Sequence, residues 1–143
     1  MTGLNSTNIS ASYNFSLTPL RKKILSLFIK NKRPLKAYEI ISTINNDRNT
    51  KPIVIYRILN FFVEKKLLHK IQSKNSFILC ENHLCTEKKG INIFLSCNNC
   101  KNVLELENLT VLDNIKTLCS SKEFDLVESN IELDGYCSNC KSK

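Results

Sequence analysis

At 143 residues, with a formal net charge of +8 and seven cysteines, the chain has room for one domain or two small ones, and a half of that size needs a metal or a second subunit to hold it. No apolar run approaches the ~20 residues of a membrane span, and the opening MTGLNSTNISAS lacks the basic-then-apolar order of a secretion signal, so a cytoplasmic chain is expected. In that compartment the cysteines point to metal or redox chemistry before a disulfide framework.

Residues 1–16 are polar and poorly periodic and read as a mobile arm or a first helix. Thr18 before Pro19 is an N-cap and N1 pair. Leu20, Ile24, Leu25, Leu27 and Phe28 then recur at helical spacing until Lys32-Arg33-Pro34 closes the segment. A second helix is expected over about 36–46, with Ala37, Ile40, Ile41 and Ile44 inward. Thr50-Lys51-Pro52 opens a third by the same capping logic. Ile55, Leu59, Phe62 and Val63 form its apolar stripe, and Tyr56, Arg57 and Asn60 point elsewhere. Two strands follow, 67–72 and 76–80, around the turn Ser73-Lys74-Asn75. Three helices and then a hairpin is the order of a winged helix, a helix-turn-helix variant whose last helix enters the DNA major groove.

Residues 81–90 lack periodicity and read as a linker. A hairpin over 91–96 and 101–106 comes next, then an amphipathic helix through Leu109, Leu112, Ile115, Leu118 and Cys119. Val127, Ser129, Ile131 and Leu133 alternate with polar residues, which marks a half-buried strand. The expected architecture is α+β: a winged-helix domain over 17–80, joined by the linker to a small α/β dimerisation domain over 91–143. The latter has too little apolar surface to stand alone. Charge divides along the same line. Residues 1–80 carry fourteen Lys/Arg against three Asp/Glu, and 81–143 carry seven against ten. A basic half on a mildly acidic one suggests a polyanion-binding module attached to something with another job.

Cys97-Asn98-Asn99-Cys100 and Cys137-Ser138-Asn139-Cys140 are two C-x-x-C knuckles at the end of a strand or the tip of a hairpin. Four thiolates so spaced suit a tetrahedral zinc ion, closed to substrate and therefore structural. A redox reading would need a thioredoxin-like strand-to-helix placement that the pattern lacks. Cys119, on the apolar face of its helix, reads as core.

LTPLR (17–21), PIVIYR (52–57), HK with NSFILC (69–80), SCNNC (96–100), IELDGYC (131–137) and the final C-x-x-C resemble the ferric uptake regulator superfamily, and within it the zinc uptake regulator branch. The resemblance spans about 17–140. It implies a homodimeric, zinc-responsive repressor that binds a palindromic double-stranded DNA operator and controls metal-uptake genes, with no membrane or small-molecule substrate as partner. It implies one structural zinc per protomer, on Cys97, Cys100, Cys137 and Cys140, and one regulatory zinc, for which the matching positions are His69, Cys80 and Glu105. Gly90 stands where the branch usually has a linker histidine, and His83 or Cys85 would replace that ligand. A mixed thiolate, imidazole and carboxylate set favours zinc; an iron, manganese or peroxide sensor of the same superfamily is the alternative. Tyr56 and Arg57 fall on the recognition helix and Tyr38 on the helix before it. Arg57 is expected to read a guanine edge and Tyr56 to meet a phosphate or a thymine methyl. Lys51, Lys36 and Arg21 are expected on the phosphate backbone. Val54 stands where the family more often has Thr, implying one polar contact or cap fewer. An enzyme would need an open metal position and a general base; Glu105 is the sole candidate base, and no enzymatic activity is expected.

Overall fold

The structure, a computed structural model, describes residues 16–45, 49–80 and 91–141. The expectations for the N-terminal arm, for His83 and Cys85, and for the linker with Gly90 fall outside the described residues. The chain divides into two compact units, Met1–Leu79 and Cys80–Lys143.

In the first unit, helix α1 spans Pro19–Asn31, and the Thr18 hydroxyl accepts from the Arg21 N–H at 3.4 Å. Lys32 ends α1 in the left-handed conformation, its N–H returning to the Phe28 carbonyl. Helix α2 spans Ala37–Asn45. Glu39, on its first turn, accepts from the backbone N–H of Lys36 at 2.7 Å and from the Arg33 guanidinium at 2.9 Å. Burial works to raise the Glu39 carboxyl, but these two donors outweigh it and hold the group below its usual range.

Helix α3 spans Pro52–Glu64. Its capping differs from expectation. In α1 the Thr immediately precedes Pro, whereas here Lys51 intervenes, and Pro at N1 makes Lys51 the N-cap, with no side-chain hydrogen bond. Thr50 instead donates its backbone N–H to Asn45 Oδ1 at 2.9 Å. Val54 packs against the core, so its methyls are used inward.

Strands β1 (Leu68–Ile71) and β2 (Ser76–Leu79) form the antiparallel wing, with His69 opposite Ile78. A bridge that periodicity could not show adds Leu35 beside Phe77, each N–H donating to the other's carbonyl at 2.8 Å. The core draws Ile24, Leu25 and Phe28 from α1, Ile40 and Ile44 from α2, Ile55, Leu59 and Phe62 from α3, and Leu68 and Phe77 from the wing. Burying a side chain of this kind contributes roughly 1.5–3 kcal/mol, so this unit has a core of its own.

The second unit is a three-stranded sheet in the order β4-β3-β5. Strands β3 (Ile91–Cys97) and β4 (Val103–Leu106) are antiparallel. Helix α4 (Leu109–Ser120), capped by the Asn108 side chain on the Val111 N–H, leads to β5 (Ser129–Gly135), which lies parallel to β3. Strand β4 starts two residues later than expected because Lys101 takes a positive φ of 62° to finish the preceding turn. Among the described residues only Ile91, Ile93, Phe94, Cys97 and Val103 form this unit's buried core, and none of α4 is fully buried. Register aligns Leu104, Leu95 and Leu133 across the sheet, yet Leu104 is 55% and Leu133 50% exposed. Of the strand face expected to be buried, Ser129 and Ile131 are half-buried, while Val127 and Leu133 are exposed. Leu109 and Leu118 of α4 and Tyr136 after β5 are exposed as well. Apolar surface on this scale marks an interaction site.

Candidate metal centre and nucleic-acid interface

The register of β3 with β5 sets the four-cysteine cluster. Cys97 ends β3 opposite Gly135 of β5, so Cys137 follows two residues beyond the same sheet edge. The first knuckle closes when the Lys101 N–H donates to the Cys97 carbonyl at 3.0 Å, and the second when the N–H groups of Cys140 and Lys141 donate to the Cys137 carbonyl at 2.9 and 3.0 Å. The Asn98 N–H donates to the Gly135 carbonyl at 2.8 Å and stitches one knuckle to the strand leading into the other.

The ligand atoms of Cys97, Cys100, Cys137 and Cys140 all lie within 4.8 Å of one another. Cys100 Sγ and Cys137 Sγ are 3.8 Å apart. Tetrahedral zinc with Zn–S bonds of about 2.3 Å requires sulfur separations of about 3.8 Å, so the donor set fits the ion. The Cys137 N–H donates to Cys97 Sγ at 3.4 Å. This backbone donor, with that of Cys100, brings the Cys97 thiol down to about 6, while sharing a hydrogen bond with Cys137 pushes Cys140 up to about 11. Cys97 is thus poised as a thiolate, the form a metal binds.

His69 of β1 is only 5% exposed. Cys80 follows β2 and is half-buried, and hairpin register puts it two residues past Ile78, on the ribbon face His69 shares. Glu105 lies on β4 and is half-buried. Cys119 is half-buried on α4.

On the first unit, the outward stripe of α3 consists of Ile53, Tyr56, Arg57 and Asn60, opposite the buried Ile55, Ile58, Leu59 and Phe62. Tyr38 on α2 is 63% exposed, with the Lys36 ammonium 5.9 Å from its ring centre. Lys36 and Lys51 are exposed. Arg21 has a role that sequence spacing did not reveal: its guanidinium lies 3.8 Å from the centre of the Phe61 ring and ties α1 to α3. Such a contact contributes roughly 0.5–1 kcal/mol at an exposed site.

The profile of the ferric uptake regulator family matches residues 12–134. The chain belongs to that family. Its fold is the winged helix followed by the α/β unit with the four cysteines described above. The zinc uptake regulation protein of Escherichia coli (strain K12) is 32% identical over 133 residues, covering 92% of this chain and 77% of the relative. A zinc uptake regulator complexed with zinc and DNA superposes with a TM-score of 0.82 at 30% identity, covering 96% of this chain and 91% of the other. The holo form of XcZur gives a TM-score of 0.81 at 25% identity, covering 96% of this chain and 99% of the other. Among the described residues, no helix is long and apolar enough to cross a membrane.

Proposed function

We propose that the protein is a zinc-responsive transcriptional repressor of the cytoplasm, a homodimer that binds a palindromic operator when zinc is plentiful and so controls metal-uptake genes. The observation that carries this reading is the match along nearly the whole chain to a zinc uptake regulator solved with zinc and DNA. The uncovered apolar face of the second unit supports pairing with a second copy.

Each protomer takes one zinc in the four-cysteine cluster, where it closes the unit, and a second, regulatory zinc, for which His69, Cys80 and Glu105 offer an imidazole, a thiol and a carboxylate. His83 or Cys85 supplies the remaining donor. Because its ligands come from the wing and from β4, the second ion sets the angle between reading head and dimer module. It thereby selects the spacing at which two α3 helices meet successive major grooves. Arg57 reads a guanine edge, Tyr56 meets a phosphate or a thymine methyl and Tyr38 contacts DNA from the preceding helix, while Lys36, Lys51 and Arg21 hold phosphates.

Binding of the full-length protein to duplexes selected from a random library, titrated with zinc, iron and manganese, tests the reading. Zinc at two equivalents per protomer is expected to switch binding on. Activation by iron or manganese with zinc held at one equivalent would replace it with another sensor of the same family.

Lys51 separates charge from capping. Lys51→Ser supplies the N-cap oxygen that α3 lacks and is expected to raise stability by about 1 kcal/mol. It also removes a phosphate contact, so DNA affinity falls and the salt dependence drops by about one ion per protomer. Thermal melts and binding at two salt concentrations read both effects.

A further inference from the structure

We infer that Ile53 reads a thymine methyl group, making it a specificity-determining residue of the operator contact; the inference rests on the DNA-binding reading above. Ile53 is the second residue of α3, on its first turn, and is 56% exposed. Its neighbours Val54 and Ile55 face the core, half-buried and fully buried, so exposure at Ile53 is not a property of the whole turn. It lies on the outward stripe with Tyr56 and Arg57, at i+3 and i+4. The first turn contains no acidic residue to repel a phosphate.

In a helix laid into the major groove, the N-terminal residues face the base edges. An exposed, β-branched side chain there gains nothing in the free protein and is a poor helix former. Its single stiff rotamer means that little entropy is lost when it is covered. The only apolar group on the major-groove edge of any base pair is the C5-methyl of thymine. Four residues of helix separate Ile53 from Arg57, about 6 Å along the axis, and base pairs repeat every ~3.4 Å. The thymine therefore lies in the same half-site as the guanine that Arg57 reads, within one or two base pairs of it.

The test uses zinc-loaded full-length protein and the duplex it selects from a random library, with each thymine of the half-site replaced in turn by deoxyuridine, which deletes only the methyl. At one position the wild-type protein is expected to lose about fourfold in affinity per half-site, the value of one buried methyl. Ile53→Ala is expected to bind the thymine and uracil duplexes equally at that position. Because Ile53 is exposed, the variant keeps its fold, and its binding to the uracil duplex serves as the internal control. A wild type indifferent to every replacement overturns the inference, as does a penalty that persists in Ile53→Ala and disappears in Tyr56→Ala. If the protein selects no duplex at all, the DNA-binding reading fails first and takes this inference with it.

Discussion

Replacing Cys137 with alanine, or stripping zinc with a strong chelator, is expected to unfold the second unit while the winged helix survives. Few residues are buried in the described part of that unit, and α4 contributes none that is fully buried. So small a core leaves the unit dependent on a metal staple. Structural zinc contributes an apparent ~10–16 kcal/mol to folding in small zinc peptides. Here it does so by tying the end of β3 to the chain after β5, which Asn98 and Gly135 already bring together. The first unit has no share in this cluster and has its own core. Thermal unfolding followed by circular dichroism should therefore lose one transition and keep the other, and sedimentation should show monomers. A chelated protein that still melts as a dimer with an unchanged profile would show that the sheet holds itself.

Cys80→Ser is expected to lower bound zinc from two to one per protomer and to leave operator binding indifferent to added zinc. Serine keeps the size of the side chain and removes the soft donor that favours zinc over harder ions. If the second ion turns a 1:99 population into 99:1, it must favour the binding-competent form by about 5.5 kcal/mol. Losing it drops affinity at saturating zinc to that of the chelated wild type, about two orders of magnitude or more. Zinc counting and fluorescence anisotropy on the selected duplex, with and without chelator, measure both quantities. Glu105→Gln should behave in parallel. Two zinc ions and an intact response in Cys80→Ser would remove Cys80 from the switch.

Much of this was legible in the residues because it depends on neighbours in the chain. Thr18-Pro19 announces α1 through one side-chain oxygen and one fixed φ. The period of Ile55, Leu59 and Phe62 locates the buried face of α3, and hence the outward face that carries Tyr56 and Arg57. The two C-x-x-C knuckles announce a thiolate metal site by donor type and spacing. Where one residue changes the rule, local reading missed: Lys51 between Thr50 and Pro52 moves the cap and leaves α3 without a side-chain partner.

What the tertiary structure decided lies between residues distant in sequence. The bridge from Leu35 to Phe77, the Arg21 guanidinium on Phe61, and the register that sets Cys97 against Gly135 join positions roughly forty apart. No periodicity encodes them, because each is chosen only when a whole apolar face finds its cover. The same reason explains Leu133: alternation marks it for burial, and only the folded sheet shows that the described residues leave it half exposed. Side-chain chemistry and spacing thus determined which groups could act, and packing across the chain decided where they stand.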